Sequence, residues 1–234
     1  NIGIEGDRVF AFSQNLDLDQ SKEFEKNPEA RKGKWNKIVT LKNTPVFNKY
    51  NFSNEGNKLT LTLKNKEIIT ININNFDERE GLVKKLIELE SSLKNDIRLM
   101  RNDEHPFYDT SISNKSMFNN SISLLNINSI KDFENKIDRK IEMSTFRGNL
   151  YFDGMEAWEE RNWIGKTLKI NNVLFKVEKN IPRCVAINLK PKTDDNSFNL
   201  LKILKQTYDH YEMGVYLTPE NDGEINLSEK ILIK

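Results

Sequence analysis

In its C-terminal half the chain reads Thr167-Leu168-Lys169-Ile170-Asn171-Asn172-Val173-Leu174-Phe175-Lys176-Val177. Apolar and polar side chains alternate on both sides of Asn171-Asn172, and a period of two is typical of a strand with one buried face. Asparagine tolerates the left-handed backbone that a tight turn requires. The stretch therefore predicts a β-hairpin from residues 167–170 and 173–177.

Further short segments with strand character surround this hairpin. They are residues 8–12, 37–41, 46–50, 58–63, 67–73, 97–100, 121–125, 149–152, 214–217 and 231–233. Apolar residues at helical spacing predict helices near residues 78–93, 129–139 and 198–208, the second of them capped by Ser129. Many short strands with few helices predict an α+β protein dominated by a β-barrel. We place a domain boundary after Met100, which gives residues 1–100 and 101–234.

The composition limits the classes of function and location that we expect for this chain. Charged residues make up 30% of the chain but nearly cancel to a formal net charge of +1, so we expect no nucleic-acid partner. The mean hydropathy is −0.67, and since no apolar run reaches the length of a bilayer crossing, we expect no membrane span. One cysteine and a start without the features of an export signal favour a reducing, cytoplasmic setting.

Cys184 is the single cysteine and directly follows Arg183. It cannot form an intramolecular disulfide, so it serves either packing or chemistry. Packing is the ordinary use, because free cysteine is among the most buried residue types. The neighbouring positive charge favours the thiolate, which binds metals and attacks electrophiles. The alternation of residues 185–189 predicts a strand after the cysteine.

Three other positions carry weaker signals. Arg147 stands just before a predicted strand and offers a planar fork of donors suited to phosphate. Arg8 follows Asp7 into the first strand. Asp109-Thr110-Ser111, in the polar stretch 101–120 that we interpret as a loop, presents hydroxyls to an anion or forms only an Asx turn. Each has a plain structural explanation by itself, since surface arginines are commonly solvated or paired.

The order of these features resembles one family. Its parts are Phe146-Arg147-Gly148-Asn149-Leu150-Tyr151-Phe152-Asp153-Gly154, Ala157-Trp158-Glu159-Glu160, Trp163-Ile164-Gly165-Lys166, Arg183-Cys184 and Gly214-Val215-Tyr216. This succession resembles the molybdenum cofactor sulfurase C-terminal (MOSC) domain, with its Arg-x-Asn strand, acidic-aromatic turn, Trp-x-Gly step and Arg-Cys strand. The upstream part resembles the family's N-terminal β-barrel domain. Within the family, the pattern is most similar to bacterial relatives of the mitochondrial amidoxime reducing component.

The resemblance implies a fold and a site. The fold is a MOSC-type β-barrel with a smaller N-terminal β-barrel-like domain and a few flanking helices. Cys184 is the implied ligand of the metal in a molybdenum cofactor (Mo-molybdopterin), because a soft thiolate suits a redox-active metal that dithiolene sulfurs already hold. The residues with an implied role in cofactor binding are Arg8, Thr110, Ser111, Arg147, Asn149 and Arg183. His210 is the second implied catalytic residue, as an aid to proton delivery, and the alternative for it is a satisfied structural histidine.

The implied function is a molybdenum-dependent oxidoreductase that reduces small N-hydroxylated compounds by two electrons. One cysteine cannot hold an iron–sulfur cluster, so a separate electron-donor protein, ferredoxin-like or a flavin reductase, is expected. Two alternatives use the same residues: a carrier that binds the molybdenum cofactor without turnover, and a sulfur-transfer protein that carries a persulfide on Cys184. A third is a barrel that has lost the cofactor and binds some other anion.

The chain departs from the family pattern at two places. The family's first strand, with a lysine near the cofactor, would precede Asn1, and we expect the native chain to begin further upstream because loss of a strand exposes a sheet edge. After the cysteine, the family's Val-Asp-Pro-x-Thr-Gly turn is altered, with Lys190 before Pro191 and Asp194 after Thr193. The turn can still form, but its contacts to substrate or partner differ.

Overall fold

The structure is a computed structural model and describes residues 3–93, 96–107 and 121–234. The strands are β1 (Phe10–Ser13), β2 (Tyr50–Glu55), β3 (Lys58–Leu63), β4 (Lys66–Asn72), β5 (Arg98–Arg101), β6 (Ile122–Asn126), β7 (Leu150–Phe152), β8 (Thr167–Ile170), β9 (Val173–Pro182), β10 (Glu212–Pro219) and β11 (Ile231–Ile233). The α-helices are α1 (Leu18–Lys26), α2 (Phe76–Leu89), α3 (Ile127–Ile137) and α4 (Leu200–Tyr208).

The largest sheet holds six strands in the order β11-β8-β9-β10-β6-β7, and its β6–β7 pair is parallel. Strands β8 and β9 form the predicted hairpin, in which Asn171 has the left-handed backbone (φ 52) that the turn requires. A meander of β2, β3 and β4 and the pair β1–β5 form the N-terminal sheets. The prediction of an α+β fold dominated by β-structure is confirmed. The domain boundary after Met100 stays a prediction.

Strand β6 contributes to two separate cores, because successive side chains point to opposite faces of a sheet. Ile122 and Leu124 pack with side chains of β8, β9 and β10. Leu125 points to the other face, where it packs with Phe133 of α3. On that second face Ser123 precedes Leu125, so the face is polar at one end and apolar at the other.

A buried carboxylate joins β6 to the beginning of α3. Asn126 caps the helix, and the predicted cap, Ser129, is wrong: it lies inside the helix. The Ser129 hydroxyl donates to Glu160 at 2.9 Å, and Asn126 Nδ2 donates to the same carboxylate at 3.0 Å. Glu160 has no exposed surface, and this burial raises the pKa of its carboxyl. Ser129 is thus a hydrogen-bond partner for a buried acid rather than a cap.

Two of the predicted N-terminal strands are wrong. Residues 46–50 lie mostly in a 3₁₀ turn, Pro45–Lys49, because proline at the first position has a φ suited to a helix and no N–H to lose. Residues 37–41 make only an isolated bridge, between Ile38 and Ser13. The Asn43 side chain accepts from Thr40 N at 2.8 Å and donates to Ile38 O at 3.0 Å. It thereby occupies backbone groups that a neighbouring strand would otherwise pair.

Helix α1 lies in a highly charged stretch, residues 15–29, where the apolar pattern predicts neither a strand nor a helix. Asp17 accepts from Gln20 N at 2.8 Å, and Gln20 Oε1 accepts from Asp17 N at 3.2 Å, which is a capping box. Only Ser21 and Phe24 of the helix are buried. The Asp-x-x-Gln spacing was the available signal for this helix.

The predicted loop 101–120 is described only in part, since residues 108–120 lie outside the described ranges. Its described portion includes Phe107, which is buried against Leu16 and Met100. None of the described helices combines the length and the apolar character needed to cross a lipid bilayer.

Gly214 offers a test of the close packing between β10 and β6. It has φ +76, and a Cβ at this position would lie 2.4 Å from the carbonyl O of Leu124. We expect Gly214→Ala to lower the free energy of unfolding by about 2–4 kcal/mol in urea titration, through backbone strain and a clash with the main chain. In the control Gly81→Ala, on the exposed face of α2, nothing lies within 4 Å of the new methyl group. That change should raise stability by about 1 kcal/mol, and equal effects of the two changes would contradict the packing account.

Candidate functional site

Cys184 lies two residues beyond the end of β9, where the chain leaves the sheet. Its backbone is extended (φ −124, ψ 176), and the next residues form a 3₁₀ turn, Val185–Asn188, so the strand predicted there is wrong. In a strand, Val185 would share a face with the buried Ile187, but Val185 is 52% exposed. The Cys184 thiol is free and half-buried, so solvent or a ligand can reach it.

Arg183 ties the end of β9 to two neighbouring segments. Its Nε donates to the carbonyl O of Met213 at 2.9 Å, and Nη2 donates to the same oxygen. Its Nη1 donates to the carbonyl O of Phe146 at 2.8 Å. Although the residue as a whole is half-buried, burial of the guanidinium lowers its pKa to about 10. These contacts fix the backbone beside Cys184, and the implied role of Arg183 in cofactor binding stays a prediction.

Arg147 extends from the turn before β7 to the segment that follows Cys184. It has a left-handed backbone (φ 48), and its Nη1 donates to the carbonyl O of Thr145 at 3.1 Å and of Ala186 at 2.9 Å. Its Nη2 donates to Asn48 Oδ1 at 3.0 Å. Arg147 is exposed overall, yet protein atoms around the guanidinium lower its pKa, and the negative charge of a Cys184 thiolate acts in the opposite direction. The arginine therefore lies within electrostatic range of the cysteine.

Asn149 is locked to β6 through Ser123. Asn149 Oδ1 accepts from Ser123 N at 3.0 Å and from Ser123 Oγ at 2.7 Å. The preceding Gly148 is required by the protein's own packing, because a Cβ there would lie 2.4 Å from the Leu125 side chain and 3.0 Å from the ring of Tyr151. The Arg-x-Asn spacing thus places Asn149 at the polar end of the second face of β6.

Arg8 approaches the same end of β6 from the N-terminal half. Its Nε donates to Asp7 at 2.8 Å and its Nη2 donates to the carbonyl O of Ser121 at 3.0 Å. Arg8 also lines a cavity of about 650 Å³ whose walls include Phe47 and Phe52. The implied cofactor residues Arg8 and Asn149 therefore lie within two residues of each other along β6.

Tyr216 connects these two groups of residues. It lies opposite Ser123 in the register of β6 and β10, and its charge, when ionised, acts on Arg183. Arg183 in turn interacts electrostatically with Arg147 and Cys184. Apart from His210, the described residues of the predicted site are consequently connected, with Cys184 and two arginines at one end.

Sequence reasoning missed several residues of this site. Tyr216 stands in the Gly214-Val215-Tyr216 motif without an assigned role, and Ser123 lies in the predicted strand 121–125 without one. Asn48, from the N-terminal half, carried no signal at all, because nothing local distinguishes it from its neighbours. Such contacts depend on tertiary packing rather than on local pattern.

His210 lies in an aromatic cluster rather than against the cysteine. Its ring stacks on Tyr208, with centroids 5.8 Å apart, and meets Trp158 edge-on at 5.7 Å. Its Nδ1 accepts from Glu212 N at 3.1 Å. Burial, followed by the charge of Arg161, lowers the pKa of His210. A role in proton delivery stays a prediction, and within the described residues no hydrogen bond or ring contact joins His210 to Cys184.

The donor set fits an anionic, sulfur-bound cofactor. Among the described residues, Ser121 Oγ and Thr218 Oγ1 are buried without a hydrogen-bond partner. Thr218 and Ser121 each lie one position beyond the Leu217–Ile122 pair of the register, so they flank the polar end of the second face. Hydroxyls in this state are ready to bind the oxygens of a polar ligand.

Within the described ranges, no group of three or more His, Cys, Asp or Glu side chains is arranged to hold an ion. A metal that arrives with its own sulfur ligands needs only one more from the protein. The remaining implied residues, Thr110 and Ser111, lie outside the described residues.

Comparison with known proteins identifies the family. A model of the MOSC domain matches residues 108–231, which is more than half of the chain. The chain therefore belongs to the MOSC domain family, as the sequence pattern predicted.

Curated relatives match a shorter part. They include "Mitochondrial amidoxime reducing component 2" of Rattus norvegicus, 35% identical over 72 residues, and the protein of the same name from Bos taurus, 31% identical over 72 residues. Each match covers 31% of this chain and 21% of the relative, so the matched segment spans about a fifth of those proteins. Among solved structures, YiiM from Geobacillus stearothermophilus matches with a TM-score of 0.39 and 18% identity, over 48% of this chain and 53% of that one.

The contacts of Arg183 generate a prediction about stability. A lysine ammonium cannot reproduce the fork that reaches two carbonyls, so Arg183→Lys should lower the free energy of unfolding by about 2–4 kcal/mol in urea titration. The matched control is Arg161→Lys, which perturbs a partly exposed ion pair with Glu212 and should cost less than about 1 kcal/mol. If Arg183→Lys were as mild as the control, the tie between β9, β10 and the turn before β7 would not be a stabilising contact.

Proposed function

We propose that this protein binds a molybdenum cofactor and reduces small N-hydroxylated compounds by two electrons. The observation that carries the proposal is the half-exposed Cys184 thiol beside Arg147 and Arg183, in a chain that belongs to the MOSC domain family. The names of the curated relatives, amidoxime reducing components, support the reaction class.

Cys184 would hold the metal through its sulfur. The thiol stands at the end of a strand that Arg183 fixes to two other segments, so its position is preorganised before a ligand binds. Metal coordination deprotonates a thiol outright, so the absence of an adjacent base among the described residues is no obstacle.

Two sets of polar groups, one beside the cysteine and one at the polar end of the second face of β6, would hold the rest of the cofactor. Arg147 supplies a guanidinium fork, and arginine contacts to phosphate are among the stronger classes of hydrogen bond. Ser121 and Thr218 supply hydroxyls that have no partner among the described residues. Arg8 and Asn149 border the same polar end of β6, and we assign Thr110 and Ser111 to it from the family pattern.

When bound, the cofactor supplies the two-electron chemistry, and the protein binds, orients and tunes it. This chain contributes a positive site that attracts an anion and a thiol at a fixed position. His210 is the candidate for proton delivery from the family pattern alone, and its contacts in the described residues are with Trp158, Tyr208 and Glu212. Electrons would come from a separate donor protein, ferredoxin-like or a flavin reductase.

The first test is the molybdenum and phosphorus content of protein purified from cells that make abundant cofactor. We expect about one molybdenum per chain in the wild type, from a single thiolate site, and loss of the metal in Cys184→Ala. The loaded wild type should then reduce a hydroxylamine when given an electron donor.

Three other results would overturn the proposal or favour an alternative function. Protein without metal under these conditions would overturn the proposal. Metal without reduction of any hydroxylamine would favour a cofactor carrier. A labile sulfane sulfur on Cys184 in metal-free protein would favour persulfide transfer.

A further inference from the structure

Asn48 connects segments on both sides of Cys184, although it belongs to the N-terminal half of the chain. Its Nδ2 donates to the carbonyl O of Lys190 at 2.9 Å and of Thr193 at 2.6 Å. Its Oδ1 accepts from Nη2 of Arg147 at 3.0 Å. Both amide hydrogens and the carbonyl oxygen are therefore engaged, and one side chain fixes the turn that follows the cysteine together with the arginine that precedes β7.

The element that carries Asn48 is itself held in place. Asn48 lies in the 3₁₀ turn Pro45–Lys49, in which Phe47 is buried. The next residue, Lys49, pairs with Glu90 at 2.6 Å and with Asp194, in the turn after the cysteine, at 3.5 Å. Two consecutive side chains thus join the N-terminal half to this turn, so the position of Asn48 is determined by more than its own hydrogen bonds.

The hydrogen bond to Asn48 is the third contact of the Arg147 guanidinium, and it is the one that fixes the orientation of this group. Its Nη1 is held by the carbonyls of Thr145 and Ala186, and Asn48 is its partner at Nη2. An arginine side chain has several rotatable bonds, and a guanidinium that is bound at one nitrogen alone can swing away from the cysteine. The carbonyl of Ala186 is also in the turn that begins after Cys184.

We propose that Asn48 is a positioning residue that holds the Arg147 guanidinium beside Cys184 and so sets the attraction of this site for anions. The inference rests on the proposed function only in naming the cofactor phosphate as the natural anion. The electrostatic effect on Cys184 is a property of the chain without any cofactor.

The test measures how fast Cys184 reacts with two disulfide reagents in metal-free, full-length protein. One is dithiobis(nitrobenzoic acid), which carries two carboxylates, and the other is dithiodipyridine, which is uncharged. Cys184 is the single cysteine, so the whole signal comes from the site. The measured quantity is the rate constant with the anionic reagent divided by the rate constant with the neutral reagent. This ratio reports the positive charge near Cys184, because a change in thiol exposure alters both rate constants equally.

We expect Arg147→Ala to lower this ratio about fivefold, as for one unit charge acting on a dianion at short range in water. Asn48→Ala should lower it by a similar factor, and the double variant should match Arg147→Ala, because the two residues act as a unit. Asn48→Asp should lower the ratio at least as far, since the new carboxylate neutralises Arg147. The matched control is Asn51→Ala, an exposed position in β2, which should leave the ratio unchanged.

A wild-type ratio in Asn48→Ala, with a lowered ratio in Arg147→Ala, would overturn the positioning role. A ratio that no variant changes would overturn it as well, because Arg147 would then not act on Cys184. General loosening of the structure would speed both reagents together and leave the ratio at its wild-type value, which also counts against the proposal. None of these results depends on molybdenum, so failure of the proposed function would appear separately, as protein that takes up no metal.

Discussion

The fork of Arg183 is the interaction on which the arrangement of the site depends. It joins the end of β9 to the carbonyls of Met213 and Phe146, so three segments that are distant in sequence meet at one guanidinium. Cys184 follows immediately and leaves the sheet in a 3₁₀ turn. Its position is therefore set by a contact made one residue earlier, and the thiol itself remains free for chemistry.

The Arg147 and Arg183 charges lie in surroundings that disfavour them, and a bound anion would stabilise both. Burial lowers the pKa of both Arg147 and Arg183, and the charge of Arg147 lowers the pKa of Arg183 further. Their hydrogen bonds go to neutral backbone carbonyls and to the Asn48 amide, which orient the charges without cancelling them. Groups with shifted pKa values are concentrated at functional sites, which is consistent with anion binding by these arginines.

Much of the fold could be predicted from local pattern. The hairpin at residues 167–177 followed from alternation and the Asn-Asn turn, and the family from an ordered succession of short motifs. The wrong strand predictions share one cause. An alternating pattern does not show whether local contacts compete with pairing to a neighbouring strand. Pro45 started a turn, Asn43 occupied backbone groups that a strand would use, and residues 185–189 alternated without pairing to a neighbouring strand.

The residues of the site also fall into two groups, those that a sequence motif indicates and those that only tertiary contacts bring to the site. Arg147, Asn149 and Cys184 stood in recognisable motifs, and the structure places Arg147 within electrostatic range of Cys184 and ties Asn149 to Ser123 of β6. Ser123 meets Tyr216 through strand register, and Asn48 meets Arg147 through contact between the two halves of the chain, which the sequence does not encode locally. Arg183 was expected to touch the cofactor, whereas the contacts that the structure describes for it go to the backbone.

The central claim is that the Cys184 sulfur is a ligand to molybdenum. X-ray absorption at the molybdenum edge tests it most directly, on loaded wild type and on loaded Cys184→Ser. The account predicts one sulfur fewer around the metal in the variant, with the cofactor's own sulfurs unchanged. The same sulfur coordination in both proteins would contradict it.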